Sequence, residues 1–322
     1  MKNIYLDQNI WIDIQEERYG LSFNLVKNIT NYDKVRIVYS PANCEEICNS
    51  FRSKNIKSTI SEDKKNKRID IISSLTKNTE IIPYPRQNSK IIELPFGKLG
   101  PRLIQEHPSI CYNRVDASYE SNNIAEDNQQ ITINTGKGID QKTKNNISKL
   151  EPINDILKSK EGHQLICDKI LSKTIFGEAM MQLIQEGALK HPITDDKLPI
   201  INHRVNLLAR NIDAYISEIH STLSKQNIYE IISQTYHQVE TYIDSIVLTL
   251  IQLGYASENK SMSSLHDVSH IIYGSCCDYF ITRDEKLIKK AIPTYNYLKA
   301  STKVIDASDS NWINILQTGE MI

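Results

Sequence analysis

The sequence predicts an α/β fold with a central parallel sheet, interrupted by a long and mainly α-helical insertion. Short apolar strands alternate with helices over residues 1–85, which is the pattern of parallel strands joined by helical crossovers. The same alternation returns over residues 262–322. Residues 86–261 are first irregular and then helical. We therefore expect one α/β domain in two parts, separated by this insertion.

Composition limits the kind of protein. The 322 residues are 40% hydrophobic and 24% charged, with a net charge of -1, as in ordinary globular domains. Any attraction to nucleic acid or to a membrane surface has to be local, because the overall charge is close to zero. The six cysteines include no Cys-x-x-Cys pair, and neither a signal peptide nor a membrane-spanning apolar run is visible. We expect reduced thiols in a cytoplasmic protein without membrane contact.

The first predicted strand, residues 3–6, ends at Asp7, and a helix follows it. Asp is a favoured N-cap residue, so Asp7 has a simple structural explanation. The strand also delivers this carboxylate to the carboxyl edge of the sheet, where open α/β sheets bind ligands. Taken alone, this segment supports the two interpretations equally.

A second strand is predicted at residues 34–39, and Ser40-Pro41 opens the next helix. Glu45 and Glu46 lie in its second turn, where acids also complement the helix dipole. Glu46 directly precedes an apolar residue on the inward face, so at least one of the two carboxylates is expected to point to the sheet edge.

A strongly basic segment spans residues 52–68 and includes Lys64-Lys65-Asn66-Lys67-Arg68. A solvated helix face is favoured over a phosphate-binding patch. Residues 80–83 form the third predicted strand.

The middle of the chain carries fewer signals. Residues 86–143 are irregular, and the segment 134–138 lacks the spacing of a phosphate-binding loop. Two apolar stripes, over residues 201–223 and 228–250, predict two long helices that pack on other helices.

The second α/β part is predicted as helix, strand and helix over residues 264–290, with a further strand at residues 303–305 and a closing helix. Asp267 lies in the first turn of one helix, and Asp284 lies in the first turn of the next. Ser264-x-x-Asp267 and Thr282-x-x-Glu285 fit capping boxes, which are the structural explanation of these acids.

Four acids share one predicted place, at the end of a strand or early in the helix beyond it: Asp7, Glu46, Asp267 and Asp284. Like charges in one cleft raise one another's pKa, so such a cluster persists only with a bound cation. Oxygen ligands suit Mg²⁺ or Mn²⁺, and one or two such ions activate water and stabilise a leaving oxygen in phosphodiester hydrolysis.

Several of these segments together resemble the PIN-domain nucleases, in particular larger bacterial PIN-like proteins with a helical insertion. They are Tyr5-Leu6-Asp7-x-Asn9, Ser40-Pro41 with Glu46, Asp267-x-x-His270, and the run from Cys277 to Asp284. The resemblance covers about residues 1–85 and 262–320. It implies a three-layer α/β/α fold and metal-dependent endonuclease activity, on RNA more often than on DNA. Such proteins often act as toxins or as effectors in bacterial defence, beside a regulatory or antitoxin protein.

By this resemblance the metal ligands and catalytic residues are Asp7, Glu46, Asp267 and Asp284. Six further residues are expected to orient these ligands or to contact substrate: Asn9, His270, Asp278, Thr282, Arg283 and Lys286. Asn9 and Thr282 are the expected orienting groups. Arg283, Lys286 and the basic residues 64–68 are candidates for holding the phosphate backbone. Substrate choice or homo-oligomer contacts are expected in the insertion.

Other interpretations stay open. In an HD-type phosphohydrolase acting on nucleotides, His266-Asp267 would need a further histidine such as His220 or His237. A haloacid-dehalogenase phosphatase needs an acid where Asn9 stands. A non-catalytic PIN-like scaffold would bind RNA or a protein through the helical insertion.

Overall fold

The computed structural model describes residues 1–52, 60–83, 86, 89–118, 153–189, 197–256, 261–309 and 311–321. The predictions for residues 119–143 and 147–152 lie outside these described residues. Within them, no helix combines the length and the apolar character needed to cross a membrane. All six cysteines are buried free thiols.

Short strands and longer helices make up the described part of the chain. The strands are β1 (Lys2–Leu6), β2 (Val35–Val38), β3 (Thr79–Ile82), β4 (Lys90–Glu93), β5 (Arg102–Gln105), β6 (Tyr279–Thr282) and β7 (Lys303–Asp306). The helices before the central region are α1 (Gln8–Gln15), α2 (Phe23–Ile29), α3 (Pro41–Arg52), α4 (Glu62–Thr76) and α5 (Pro108–Ser118). Those of the central helical region are α6 (Ile153–Lys158), α7 (Lys160–Gln185), α8 (Leu198–Leu208), α9 (Ile212–Leu223), α10 (Ile228–Ile232) and α11 (Tyr236–Gln252). The last three are α12 (Ser261–Gly274), α13 (Glu285–Leu298) and α14 (Trp312–Thr318).

The centre of the fold is a parallel sheet in the order β2-β1-β6-β7. A parallel bridge between Tyr39 and Glu80 places β3 beside β2, and β3 also pairs antiparallel with β5, which pairs with β4. The predicted α/β fold with a parallel sheet is confirmed. The chain first places β2 on one side of β1 and later adds β6 on the other side. The strand order therefore reverses between β1 and β6. Open α/β sheets bind ligands at such a reversal, outside the carboxyl ends of the strands.

Both faces of the sheet pack against helices, so most residues of its central strands β1, β2 and β6 are apolar and buried. Tyr5 and Phe280 point into one core together with helices α11, α12 and α13. Their neighbours Ile4, Leu6 and Ile281 point into the other core, with α1, α4 and α14. The alternation of side chains along each strand thus divides the strand residues between two hydrophobic cores.

The middle of the chain departs from the sequence prediction of an irregular segment. Residues 90–118 contain β4, β5 and α5 instead. Every residue of β4 is exposed, so this strand has no buried face that would give an apolar pattern in the sequence.

Both long predicted helices are divided. A 3-10 turn at Ala209–Asn211 separates α8 from α9, and Thr235 begins α11 by accepting a hydrogen bond from the Gln238 N–H. Apolar spacing that continues across a short break does not reveal the break.

Both predicted capping boxes are also wrong. Helix α12 begins at Ser261, so Ser264 lies inside it and not at its cap. Thr282 is the last residue of β6. Asp284 itself is the N-cap of α13, where its side chain accepts hydrogen bonds from the Lys286 and Leu287 N–H groups.

Candidate metal centre

Asp7 lies at the reversal point of the sheet, between the ends of β1 and β6. Its N–H donates to the Ile281 carbonyl oxygen over 3.0 Å, which continues the pairing of the two strands. Its side chain is the N-cap of α1, and Oδ1 accepts from the Gln8 N–H. The other oxygen, Oδ2, accepts from Thr282 Oγ1 at 2.8 Å and from Asn9 Nδ2 at 3.3 Å. Asp7 therefore caps a helix and also occupies the predicted edge.

Glu46 and His270 meet Asp7 at this edge. His270 Nε2, from α12, lies 2.8 Å from Glu46 Oε1 and 3.7 Å from Asp7 Oδ1. One ligand atom from each of the three residues lies within 4.8 Å of the others, so the group could hold a metal ion. Residues 46 and 270 come from separate helices, α3 and α12, that pack against each other. The contact with His270 supports the choice of Glu46 over Glu45.

The three side chains control one another's charge. Burial opposes protonation of His270, but the hydrogen bond and negative charge of Glu46, with Asp7, raise its pKa to about 9. Burial also opposes ionisation of Glu46, yet the hydrogen bond and charge of His270 outweigh it and lower the Glu46 pKa. For Asp7 burial is the larger effect, and its pKa is raised despite the nearby imidazole. Without a metal ion, the imidazolium of His270 supplies the positive charge that the two carboxylates require.

A chain of hydroxyl groups fixes the other side of His270. Its Nδ1 lies 2.7 Å from the Tyr5 hydroxyl, which lies 2.8 Å from Ser40 Oγ. All three groups are fully buried. Because Nδ1 is engaged in this way, the ring is oriented with Nε2 toward the carboxylates. Tyr5 and Ser40 both belong to the segments that resemble PIN-domain nucleases, but sequence reasoning assigns them no role at the site.

Asp267 lies close to this group, but its carboxylate forms an ion pair with a lysine side chain. Its Oδ2 lies 2.5 Å from Lys290 Nζ, and the Lys290 side chain is fully buried. Sequence reasoning missed Lys290. A signal existed, because Lys290 follows Leu287 by three residues and precedes Ala291 and Thr294 on the buried face of α13.

Asp284 lies at the same edge as Asp7. The Thr282 hydroxyl links them, since it donates to Asp7 and accepts from the Asp284 N–H at 3.0 Å. The Asp284 carboxylate accepts from the first N–H groups of α13, including that of Lys286. Asp267 and Asp284 thus lie outside the compact group formed by Asp7, Glu46 and His270.

Among the predicted supporting residues, Asp278 lies elsewhere, and Arg283 already has an acidic partner. Asp278 is expected near the site, but it precedes β6, at the opposite edge of the sheet, where it binds Lys2 Nζ and the Asn3 N–H at 2.8 Å each. An acid at the start of a parallel strand cannot reach the carboxyl edge. Arg283 forms an ion pair with Asp13 at 3.0 Å.

The basic segment is divided between surface and interior. Lys67 is exposed, as predicted for a solvated helix face, whereas Arg68 is buried and its Nε donates to Gln15 Oε1 at 2.6 Å. Lys64 contacts Glu16, and Lys65 contacts Glu62. The Arg68 side chain is thus part of the protein interior.

Two buried polar side chains next to the cluster residues lack a hydrogen-bond partner within the described part of the chain. They are the Gln8 amide, adjacent to Asp7, and His266 Nε2, one helical turn before His270. Burial lowers the pKa of His266, so its ring is neutral at neutral pH. Buried polar groups without partners are uncommon and costly. They are therefore available to a water molecule or a ligand at the site.

The histidines that an HD-type site would need lie in other surroundings. His220 Nδ1 is 3.2 Å from His163 Nε2 in the central helical region. His237 packs against Gly177.

Searches against protein-family models, curated proteins and solved structures found no match to this chain. A function therefore has to rest on the geometry of the site.

Proposed function

We propose that this protein is a divalent-metal-dependent, PIN-like endoribonuclease that hydrolyses phosphodiester bonds. The observation that carries the proposal is the meeting of Asp7, Glu46 and His270 at the point where the sheet order reverses. The three residues come from positions far apart in the sequence, and the fold brings them to the edge where ligands bind. Asp267 and Asp284 lie beside them and complete the acidic surroundings implied by the resemblance.

The donor set fits a divalent cation, with Mn²⁺ favoured over Mg²⁺. Asp7, Glu46 and His270 would hold it, and an imidazole nitrogen suits Mn²⁺ better than Mg²⁺, which prefers oxygen ligands. When bound, such an ion supplies an activated water and stabilises negative charge on phosphate oxygens. The protein's own residues orient the ligands: Thr282 holds Asp7 and Tyr5 holds His270. Lys290 pairs with the neighbouring Asp267 and holds its carboxylate in place.

The order of the chain supports the division into a PIN-like domain and an insertion. Strands β1, β2 and β3 precede the central helical region, and β6 and β7 follow it and pair beside β1. In this proposal residues 86–261 are the insertion, and they carry substrate choice, homo-oligomer contacts or binding of a regulatory or antitoxin partner. A role as a toxin or defence effector is the biological setting that the PIN-like proposal implies.

One observation favours a second candidate, a non-catalytic PIN-like scaffold. The acids of the site already have internal cations, since His270 lies between Glu46 and Asp7, and Lys290 pairs with Asp267. A cluster neutralised in this way is stable without metal. Such a protein would bind RNA or a protein partner without cleaving it.

The test is cleavage of labelled RNA with Mn²⁺ or Mg²⁺ and with chelator. Asp7→Asn and Glu46→Gln remove metal ligands, and we expect each to slow cleavage by at least about 100-fold, the equivalent of several kcal/mol of charge stabilisation. Asp278→Asn is the matched control, because it removes the same charge at the opposite edge of the sheet. RNA binding without cleavage in any metal would reject the nuclease and support the scaffold. Equal loss in Asp278→Asn and Asp7→Asn would show that the assay reports folding and not the site.

A further inference from the structure

A second group of metal-binding side chains lies in the central helical region. His163 and Cys167 are four residues apart on α7, so their side chains share one face of that helix. His220 reaches them from α9. Their ligand atoms lie within 4.8 Å of one another. The group contains no member of the acidic centre.

The distances within this group match those between ligands of one tetrahedral zinc ion. His163 Nε2 lies 3.2 Å from His220 Nδ1, and Cys167 Sγ lies 3.5 Å from His163 Nε2 and 3.9 Å from His220 Nδ1. Zinc–nitrogen and zinc–sulfur bonds at tetrahedral angles give about 3.3 Å between two nitrogens and about 3.6 Å between nitrogen and sulfur. A single ion therefore reaches all three atoms with only small movements.

The neighbours of the group also suit a metal site. The second ring nitrogen of His163, Nδ1, lies 3.0 Å from the Tyr297 hydroxyl on α13, and such a contact fixes the ring with Nε2 toward the ion. Cys167 is buried, whereas His220 is exposed. The ion would thus be shielded by the thiolate on one side and open to water on the other.

We propose that His163 Nε2, Cys167 Sγ and His220 Nδ1 bind a Zn²⁺ ion whose fourth ligand is water. Two imidazoles with one thiolate are a donor set that selects zinc over Mg²⁺ or Mn²⁺. Binding releases the Cys167 thiol proton to solvent, because the thiolate is the ligand. The ion ties α9 to α7 and, through Tyr297, to α13, the helix that Asp284 caps. This inference does not depend on the proposed nuclease activity.

The experiment measures metal in the full-length protein after removal of any affinity tag. We expect one zinc per chain by elemental analysis, and replacement by Co²⁺ should give the thiolate-to-cobalt charge-transfer band and intense visible bands of a tetrahedral site. Cys167→Ser should abolish the charge-transfer band, and His220→Gln should abolish stoichiometric zinc. The matched controls are Cys111→Ser, another buried thiol, and His203→Gln, an exposed histidine on α8. Both should keep the zinc.

Two further variants make the result decisive. Tyr297→Phe keeps all three ligands and should weaken zinc binding by about 10- to 100-fold, the usual effect of losing a group that orients a histidine ligand. Asp7→Asn should leave zinc at this site unchanged, which separates it from the acidic centre. Zinc that is lost in Asp7→Asn but kept in Cys167→Ser would overturn the proposal. So would a Co²⁺ spectrum without a thiolate band in the folded wild-type protein, which would show that the group is held by hydrogen bonds alone.

Discussion

The charge of His270 should make the stability of the metal-free protein depend on pH. Its pKa rises from the usual 6.5 to about 9 in the folded protein, so the folded state holds a proton that the unfolded chain gives up near neutral pH. A raised histidine pKa contributes stability that is fully present below pH 6.5 and is lost as pH rises through about 9. The stabilising contribution is therefore largest in mild acid.

The magnitude follows from the size of this shift. Each step of one in pKa corresponds to about 1.4 kcal/mol, so the rise at His270 amounts to about 3 kcal/mol of unfolding free energy between the two limits. The His270 side chain is fully buried, so solvent does not screen the ion pair from its side. Its partner Glu46 is 27% exposed, and water near this carboxylate reduces the expected change to about 2 kcal/mol.

The assay is urea unfolding of chelator-treated protein from about pH 6 to about pH 10. Other groups titrate over this range, so the quantity of interest is the difference between wild type and His270→Gln. We expect that difference to shrink by about 2 kcal/mol on going to the alkaline end. A difference that stays constant, or grows with pH, would refute the protonated ion pair between His270 and the two carboxylates.

Three further predictions concern the two sites. Lys290→Met should destabilise the protein by about 3–5 kcal/mol, because it leaves buried Asp267 without its cation; a loss below about 1 kcal/mol in urea unfolding, the level of an exposed pair, would contradict this. Thr282→Val removes a donor to Asp7 Oδ2 and should weaken Mn²⁺ binding by about 10- to 100-fold in calorimetry, and unchanged affinity would argue against Asp7 as a ligand. Zinc affinity at the His163–Cys167–His220 group should fall as pH is lowered, since burial raises the pKa of the Cys167 thiol to about 11 and a proton competes with the metal. An affinity that does not change with pH in competition titrations would exclude the thiolate as a ligand.

The fold could be predicted from the sequence where an element has a strong local signal. The strands of the parallel sheet are short apolar runs bounded by polar or turn residues, and the predicted and observed bounds agree within a residue or two. Strands β4 and β5 escape prediction because they lie among scattered Pro and Gly residues and pair with each other and with β3 in a small antiparallel group. The breaks in the two long helices were missed because the apolar spacing continues across them.

The candidate site was predictable in its location but less so in its contacts. Asp7 and Glu46 each follow a strand, and the rule that parallel strands end at one edge was enough to bring them together. The same rule, applied with the strand direction in mind, would have excluded Asp278. Asp267 and Lys290 lie on separate helices, and their contact depends on the directions of both side chains. Sequence spacing alone therefore does not predict this ion pair.

The group of His163, Cys167 and His220 could not be predicted from spacing alone either. The spacing of His163 and Cys167 is visible in the sequence, but the third ligand lies on another helix, 53 positions after Cys167. Nothing in the intervening residues indicates that His220 faces them.

The pairing of β6 beside β1 has a consequence for protein synthesis. Asp7 leaves the ribosome 275 positions before Thr282, which holds its side chain. During translation β1 can pair with β2 early, but the edge that would receive β6 stays unfilled until the distant strand emerges. Because contacts between such remote residues need the whole intervening segment, a nascent chain that lacks β6 cannot assemble the candidate metal centre. The proposed nuclease would therefore be inactive toward the messenger and the ribosome that are producing it.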